Sequence, residues 1–378
     1  MKGEAIEDAL SQLTSSENTG FIKYLDLLTS ENLGYYCNEK IISGSYTKEK
    51  VIHRKLSTVW FELRKACNLN CYHCYMDCNS SSDIDLNLLN INDWKKIIDQ
   101  LKEYKPKKII LIGGEPLLFK DIIEIINYCK EVCLKSELVL YSNLTLLTEK
   151  ITEAIVRNNV KVITSVYSNK PEIHDKITGR EGSFNITISN IKKLKALGVY
   201  IKANSAIMSY NFKNISEIQS YTYELTGVHS KIDIVRDVGL SKNHLIPLEL
   251  ENKFERIRSK PNFKPLNEAQ FQKNYSGNSC WQGKINITCD GYITPCIMGN
   301  CFLNKKFNTQ KNDINEIVDE YLIPQFWRIS KDFINECKDC EYRYVCKDCR
   351  PICTEKADIY SKGGLCNYDP YWGEWRSN

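Results

Sequence analysis

The sequence lacks both a long hydrophobic run and an excess of charge of one sign. No stretch approaches the roughly 18 consecutive apolar residues that a membrane span requires. The 51 basic and 47 acidic side chains leave a net charge of +4, which does not favour nucleic acid or an anionic membrane as the main partner. The N-terminal residues MKGEAIEDALSQLT also lack the apolar core of a signal peptide, so we expect a cytoplasmic protein.

Cysteine, by contrast, is abundant and accounts for 17 of the 378 residues. An odd number of thiols in a chain expected in a reducing compartment fits metal sites better than a disulfide framework. Seven cysteines lie at or before residue 133, none lies between 133 and 280, and ten crowd between 280 and 366. This distribution predicts two metal-bearing regions on either side of an ordinary scaffold.

Residues 56–240 alternate between strand and helix patterns, in a chain whose 42% hydrophobic residues suffice for a substantial core. Short apolar runs such as KKIILIGG are typical of parallel strands that are buried on both faces. Strands are predicted at 57–67, 107–114, 137–143, 160–168, 200–208 and 231–238, with helices between them. Six such units suit either a doubly wound sheet or an incomplete (β/α) barrel.

Helix boundaries are predicted from capping and breaker residues. A helix over 91–104 is expected to be capped by Asn92 or Asp93. Gly198 is expected to end the helix that precedes the fifth strand. A further helix is predicted over 20–36, ahead of the alternating region.

The first cysteine group contains Cys67, Cys71 and Cys74, spaced C-x3-C-x2-C directly after the first predicted strand. Three thiolates on one loop can hold three irons of a cubane cluster and leave the fourth iron open, and thiolates are the usual ligands of such clusters. A zinc site would need a fourth protein ligand, which His73 inside the loop could supply. The loop is therefore predicted to bind either an iron–sulfur cluster or zinc.

A second motif, Gly113-Gly114-Glu115-Pro116, ends the second predicted strand. Two glycines allow the backbone to approach a ligand closely. The Glu115 carboxylate, or the carbonyl groups beside it, could accept hydrogen bonds from an ammonium group. Alone, the motif would indicate no more than a strand-to-helix turn.

Together, the cysteine loop and the GGEP motif one βα unit later resemble the signature of the radical S-adenosylmethionine (radical SAM) superfamily. The resemblance implies an α/β fold with a partial (β/α)6 barrel of the TIM type. It also implies a 4Fe–4S cluster on the three cysteines, whose open iron binds the methionine amino and carboxylate groups of S-adenosylmethionine.

The same resemblance implies a set of residues around S-adenosylmethionine. They are His73 near the adenine, Gly113, Gly114, Glu115 and Pro116 at the methionine amine, Ser142 and Asn143 at the end of the third strand, and Ser165 and Arg180 at the ribose and methionine carboxylate. For Ser165 and Arg180 the alternatives are a buried hydroxyl group and a solvated loop arginine.

The second cysteine group is dense enough for two metal sites. Its spacing runs Cys280-x8-Cys289, Gly291-x4-Cys296, Cys301, Cys337-x2-Cys340-x5-Cys346-x2-Cys349-x3-Cys353 and a final Cys366. Two zinc ribbons would explain the C-x2-C pairs. The order of the cysteines also resembles the SPASM extension of radical SAM enzymes that modify peptides.

The SPASM resemblance implies two auxiliary 4Fe–4S clusters. Auxiliary cluster I would take Cys280, Cys296 and Cys349, with Cys353 as the substitute for Cys349 because the spacing departs from the family pattern there. A fourth ligand could come from Cys289 or Cys301, and without one the open iron could bind a substrate thiolate. Auxiliary cluster II would take Cys337, Cys340, Cys346 and Cys366. The remaining cysteines are interpreted as small buried apolar residues: Cys37, Cys78, Cys129 and Cys133.

The resemblance implies a radical SAM peptide maturase. Reductive cleavage of S-adenosylmethionine would give a 5′-deoxyadenosyl radical that abstracts hydrogen from a ribosomally made precursor peptide, and the expected product is a thioether. The partners implied are that peptide and an electron donor such as flavodoxin or ferredoxin. The alternatives are another SPASM reaction (sulfatase maturation, carbon–carbon crosslinking or epimerisation), a degenerate member that serves as a binding scaffold, or a non-catalytic zinc-ribbon interaction protein.

The expected organisation has four parts. Residues 1–55 form an N-terminal segment for leader-peptide recognition or for capping the barrel, and 56–240 form the radical SAM barrel. Residues 241–279 are charged and irregular and are expected to act as a linker, and 280–378 form the SPASM domain.

Overall fold

The computed structural model describes residues 10–11, 14–30, 55–84, 87–235, 245, 265–352, 358–364 and 366–375. The chain divides into two compact units, Met1–Val51 and Ile52–Asn378. In the first unit the helix α1 spans Ser15–Ser30, so it begins earlier than the predicted helix over 20–36, whose end lies outside the described residues. All elements that follow belong to the second unit.

The second unit is built on an eight-stranded sheet in which the first six strands lie side by side in chain order. These six strands are parallel and confirm the six predicted ones: β1 Thr58–Arg64, β2 Lys108–Gly113, β3 Glu137–Tyr141, β4 Lys161–Ser165, β5 Ile201–Ile207 and β6 Ile232–Ile234. A doubly wound sheet reverses its strand order at a switch point, whereas these strands progress in one direction. The structure therefore confirms the partial barrel.

Beyond β1 the sheet continues with two strands from the C-terminal region. Strand β7, Lys284–Ile287, pairs in parallel with β1, and β8, Ile293–Thr294, pairs antiparallel with β7. The sheet thus joins the second cysteine group to the strand that precedes the first cysteine loop. With four and two residues, these strands are too short to give a recognisable sequence pattern.

Helices alternate with the first six strands. They are α2 Ile91–Tyr104, α3 Ile122–Val132, α4 Glu149–Arg157, α5 Pro171–Thr178, α6 Ser183–Ala196 and α7 Ile215–Thr226. Helix α2 buries Trp94, Ile97, Ile98 and Leu101, which recur every three to four residues. Trp94 packs on Phe61 of β1 with ring centroids 5.0 Å apart, so the helix layer and the sheet share one core.

The cap of α2 corrects one prediction. Asn90, rather than Asn92 or Asp93, is the capping residue, and its side chain accepts the backbone N–H groups of Asn92 and Asp93 at 2.8 and 3.2 Å. The Asp93 carboxylate accepts the Asn90 N–H at 3.0 Å and completes a capping box. Gly198 has the expected role, since it lies in the left-handed region (φ +76°) just past the end of α6.

Two helices lie where the sequence predicted none. Helix α5 begins at Pro171, which suits a first helical turn, and ends at Gly179, whose φ is +65°. Helix α8, Glu268–Ser276, occupies part of the predicted linker and begins with a capping box formed by Asn267 and Gln270. With eight and nine residues, both helices are too short to show a strong hydrophobic period.

The region after β8 has few regular elements. Its longest is a π-helix at Ile317–Trp327 that contains Pro324, a residue without the N–H group of an ordinary helical bond. Residues 337–352 form tight turns, and the short pair β9 Tyr368–Asp369 and β10 Glu374–Trp375 follows. Among the described residues, no helix is long and apolar enough to cross a bilayer.

Candidate functional site

The three cysteines of the first loop lie together after the carboxyl end of β1. Burial, and then the neighbouring thiols of Cys67 and Cys74, raise the pKa of the Cys71 thiol above its ordinary value. In the described part of the chain, no three His, Cys, Asp or Glu side chains converge on a single ion. Whether the three cysteines hold an iron–sulfur cluster, or zinc together with His73, stays a prediction.

Helix α5 anchors the cysteine loop. The backbone N–H groups of Asn70 and Tyr72 donate to the carbonyls of Thr178 and Ile177, at 2.9 and 3.3 Å. A side chain at Gly179 would place its Cβ 2.6 Å from the Asn70 carbonyl oxygen, so only glycine allows this approach. The segment HDKITG, for which the sequence predicted no helix, therefore fixes the position of the loop between Cys67 and Cys74.

Asp83 holds the start of the same loop, and the sequence analysis missed it. One carboxylate oxygen accepts the N–H groups of Lys65 and Ala66 at 2.8 and 3.0 Å, and the other pairs with Arg64 Nε at 2.5 Å. The side chain is only 7% exposed. A carboxylate in a polar turn gives no sequence signal for this role, because the partners are backbone groups nearly twenty residues away.

The two glycines of the GGEP motif allow β2 to approach the end of β1. A Cβ at Gly113 would lie 2.1 Å from the Arg64 carbonyl oxygen, and a Cβ at Gly114 would lie 2.3 Å from that of Ala66. The N–H groups of Gly114 and Glu115 donate to these same carbonyls at 2.8 and 2.9 Å. The two glycines thus allow the backbone after β2 to pack directly against the backbone that leads into the cysteine loop.

The Glu115 carboxylate is fully buried and connects the end of β2 to the end of β3 by hydrogen bonds. It accepts the Ser142 hydroxyl at 2.7 Å, the Asn143 N–H at 2.8 Å and the Leu117 N–H at 3.0 Å. Burial raises the pKa of Glu115 to about 7, and these three hydrogen bonds oppose the rise. Whether the Glu115 carboxylate or the carbonyl groups beside it would accept an ammonium group stays a prediction. Pro116 begins the short 3-10 turn that follows.

Asn143 connects the end of β3 to the cysteine loop. Its amide nitrogen donates to Asn68 Oδ1 at 2.9 Å and to Cys67 Sγ at 3.9 Å. Asn68 in turn donates to the Thr145 hydroxyl at 2.7 Å. The structure therefore brings Ser142 and Asn143 to the predicted site, together with Asn68, which the sequence analysis did not single out.

Three aromatic rings lie next to one another at the cysteine loop, and we call them the aromatic wall: His73, Tyr167 and His174. The His73 ring lies edge-on to Tyr167 with centroids 4.8 Å apart, and His174 accepts the Tyr167 N–H at 3.3 Å. Burial lowers the pKa of both His73 and His174 to about 4, so both rings are neutral near pH 7. The Nδ1 atom of His73 is buried and finds no partner among the described residues.

Ser165 makes a hydrogen bond to the aromatic wall, whereas Arg180 does not. Ser165 ends β4 and hydrogen-bonds the Tyr167 side chain. Arg180 follows α5 and is half-buried, and its guanidinium makes no hydrogen bond or ion pair within the described ranges. Their contacts with S-adenosylmethionine stay predictions.

The cysteines interpreted as packing residues fall into two classes. Cys129 and Cys133, on α3 and at its end, belong to the hydrophobic core as predicted. Cys78 is buried too, and its backbone N–H also donates to Cys74 Sγ at 3.4 Å. Cys37 and Cys353 lie outside the described residues.

The second cysteine group contains two sets of neighbouring thiols. Cys296 lies close enough to Cys280 and Cys349 to interact with both electrostatically. Cys366 interacts in the same way with three other thiols: Cys337, Cys340 and Cys346. These sets have the membership predicted for auxiliary clusters I and II, while ligation itself stays a prediction. Cys289 instead lies beside Glu62, and Cys301 is exposed.

A cavity of about 440 Å³ is lined by Cys280 and Cys346, one cysteine of each set. Lys273, Lys331, Lys347 and Arg343 also line it together with one acidic residue, Asp348, which pairs with Lys331 at 2.6 Å. The net positive charge of this lining favours thiolate ligands and the negative charge of an iron–sulfur cluster.

Comparison with known proteins places the barrel in a described family. Residues 62–220 match the family model of the radical SAM superfamily. The AdoMet-dependent heme synthase of Methanosarcina barkeri is 26% identical over 346 residues, which cover 82% of this chain and 96% of that protein. The subtilosin biosynthesis protein AlbA of Bacillus subtilis is 27% identical over 324 residues, which cover 82% of this chain and 70% of AlbA.

Solved structures share the fold at low sequence identity. Streptococcus suis SuiB bound to its precursor peptide SuiA superposes with a TM-score of 0.64 at 17% identity, over 93% of this chain and 88% of SuiB. The enzyme anSMEcpe with bound AdoMet superposes with a TM-score of 0.61 at 17% identity, over 82% of this chain and 93% of that chain.

Proposed function

We propose that this chain, whose residues 62–220 match the radical SAM superfamily model, is a radical SAM enzyme that matures a ribosomally made precursor peptide by forming a thioether crosslink. The observation that carries the proposal is the proximity of Cys296 to Cys280 and Cys349, and of Cys366 to three other thiols: Cys337, Cys340 and Cys346. The names of AlbA and of SuiB bound to SuiA, which concern a bacteriocin and a precursor peptide, support a peptide substrate.

Cys67, Cys71 and Cys74 would hold the 4Fe–4S cluster that binds S-adenosylmethionine. Once bound, the two groups supply a reductively generated 5′-deoxyadenosyl radical that abstracts a hydrogen atom from the peptide. The chain's own contribution is position: α5 and Asp83 fix the loop, and Asn143 donates to the Cys67 sulfur. The buried, neutral ring of His73 and Tyr167 form an apolar wall that suits an adenine and excludes water.

The second cysteine group would hold two auxiliary 4Fe–4S clusters. Cys280, Cys296 and Cys349 would bind auxiliary cluster I and leave an iron open to a substrate sulfur, whereas cluster II would have a complete set in Cys337, Cys340, Cys346 and Cys366. Such clusters supply an acceptor for the electron released when the carbon–sulfur bond forms. The basic lining of the adjoining cavity supports this assignment, since it offsets the negative charge of thiolate-bound clusters.

The proposed organisation assigns the barrel to 56–240 and the SPASM domain to 280–378, joined by 241–279. The segment 1–55 would recognise the leader of the peptide or cap the barrel. Flavodoxin or ferredoxin would deliver the reducing electron, in the cytoplasm.

The proposal is tested first on the metal content and then on the product. Three cubanes require about twelve irons and as many sulfides per anaerobically purified chain, and the reduced protein should cleave S-adenosylmethionine. Cys74→Ala should abolish cleavage, whereas Cys129→Ala, which removes a core thiol, should leave it intact. Zinc in place of iron would support the zinc-ribbon alternative, and intact ligands without cleavage would support a binding scaffold.

Co-expression with a short cysteine-containing peptide encoded next to this chain then tests the bond. A thioether predicts the loss of two hydrogens and a cysteine that resists alkylation. Loss of two hydrogens with a free thiol would indicate carbon–carbon crosslinking or oxidation to an aldehyde, and an unchanged mass would indicate epimerisation or no reaction. Porphyrin turnover without peptide modification would instead match the activity for which the M. barkeri relative is named.

A further inference from the structure

The cavity of about 440 Å³ in the second cysteine group is lined by two kinds of cation. The first kind already has an acidic partner within the protein. Lys331, only 11% exposed, pairs with Asp348 at 2.6 Å, and Asp348 also contacts the buried Arg350. Arg343 pairs with Asp332 at 3.3 Å. The charges of these cations are therefore compensated by carboxylates of the chain itself.

The second kind of cation is Lys273 and Lys347, which we call the lysine pair. Both line the same cavity and are exposed, and neither makes an ion pair with another residue of the described ranges. Lys273 is on α8, whereas Lys347 directly follows Cys346, so two distant parts of the chain bring like charges to one opening. An anion that enters from solution can reach both ammonium groups and relieve their repulsion.

The lysine pair lies next to the proposed binding site of the substrate sulfur. Cys280 lines the cavity as well, and it belongs to the three cysteines proposed for auxiliary cluster I, whose open iron would take that sulfur. An extended peptide advances about 3.3 Å per residue. A side chain that enters the cavity therefore belongs to a residue within a few positions of the bound cysteine.

The size and shape of the cavity favour a peptide as the source of the anion. A volume of about 440 Å³ lies in the range of pockets that enclose organic ligands, so it exceeds what a single small ion needs. A peptide side chain can enter such a concave space. The acidic surface of a folded electron-carrier protein cannot enter it.

We propose that the lysine pair binds an aspartate or glutamate side chain of the precursor peptide, close to the cysteine that is crosslinked. The site would thus select peptides that carry a carboxylate beside that cysteine. The inference rests on the proposed function, because it requires a peptide substrate whose sulfur binds next to Cys280. It assigns Lys273 and Lys347 no part in the radical chemistry.

The test compares two synthetic peptides by anaerobic calorimetry on the reconstituted full-length protein. One has a central cysteine flanked by glutamates in a chain of alanine and glycine, and the other has glutamines in place of the glutamates. The wild type should bind the glutamate peptide roughly three- to twentyfold more tightly at low salt, since each exposed ion pair contributes up to about fivefold. This preference should shrink at about 0.5 M salt, which screens exposed charges.

Variants then assign the preference to the lysine pair. The double variant Lys273→Gln/Lys347→Gln should bind the two peptides with equal affinity at an unchanged iron content. Lys192→Gln removes the same charge from an exposed position of α6 that does not line the cavity, and it should keep the wild-type preference.

Several results would overturn the inference, and each identifies a different reason. Equal binding of the two peptides by the wild type, or a preference that survives in the double variant, would show that the lysine pair does not select carboxylates. Lower iron in the double variant would show that the lysines serve the clusters instead. Weaker binding of flavodoxin alone would make the pair a contact of the electron carrier. If neither peptide binds although the co-expressed precursor is modified, the inference alone fails, whereas an unmodified precursor would count against the proposed function too.

Discussion

Replacing Glu62 with glutamine should stabilise the protein, and increasingly so as the pH rises. Glu62 is on β1, only 2% exposed, and its Oε2 atom finds no partner among the described residues. Burial raises the pKa of Glu62 to about 8, opposed mainly by a hydrogen bond with Asn286 of the neighbouring strand β7. The folded protein therefore holds a proton on this carboxyl group at pH values where the unfolded chain has released it.

The sign and size of the effect follow from linkage. A carboxyl group whose pKa is higher in the folded state contributes stability that is complete below about pH 4.5 and is lost as the pH rises to about 8. The gap between these two values corresponds to about 5 kcal/mol at 1.36 kcal/mol per pH unit. At pH 7 the wild type should already have lost about 3 kcal/mol of this contribution. Glutamine keeps the volume and the hydrogen-bonding capacity but has no proton to lose.

Thermal unfolding under anaerobic conditions checks this prediction. Between pH 5 and 8 the Tm of Glu62→Gln should rise relative to the wild type, by roughly 3–6 °C at pH 7. The charged groups around the site are common to both proteins and cancel in the comparison: Lys65, Asp83 and Asp290. Glu153→Gln, which changes an exposed carboxylate of α4, should show no such trend. A Tm difference that stays constant or falls with rising pH would refute the reasoning.

Two further predictions concern the GGEP motif and the α2 cap. Gly114→Ala brings a Cβ to 2.3 Å from the Ala66 carbonyl oxygen, so it should lower the free energy of unfolding by about 1–3 kcal/mol, which Tm measures. It should also lower the iron content of the first cysteine loop, which is measured by the EPR signal that changes when S-adenosylmethionine is added. Gly20→Ala, which meets nothing within 4 Å, is its control, and equal iron in both variants would contradict the clash. Asn90→Ala should cost about 1 kcal/mol of unfolding free energy, whereas Asn92→Ala should be nearly neutral. A larger loss from Asn92→Ala would contradict the cap assignment.

The six parallel strands could be predicted because each is a short apolar run ended by glycine or polar residues. Their spatial order could not, since strand patterns carry no record of which way each crossover turns. The register between β1 and β7, which pairs Trp60 with Asn286, joins residues more than two hundred positions apart. Its partner strand has only four residues, so the pairing became visible only in the structure.

The cysteine spacing also allowed a prediction. The structure places thiols of each predicted set near one another, whereas their ligation of clusters stays a prediction. The groups that hold the cysteine loop in place cannot be read from the sequence. Asp83 and the α5 residues Ile177 and Thr178 act through backbone hydrogen bonds, to which sequence spacing gives no clue.

The positions of the two motifs are physically linked. Parallel neighbouring strands end side by side, so the residues after β2 must pass directly beside the backbone that leads from Arg64 into the cysteine loop. Gly113 and Gly114 meet that requirement, and the Glu115 carboxylate ties the same corner to β3. A substitution in GGEP should therefore disturb cluster assembly before it disturbs cofactor binding. Weak binding of S-adenosylmethionine together with a low iron content would then report a displaced loop, whereas weak binding at full iron content would report a lost contact with the cofactor.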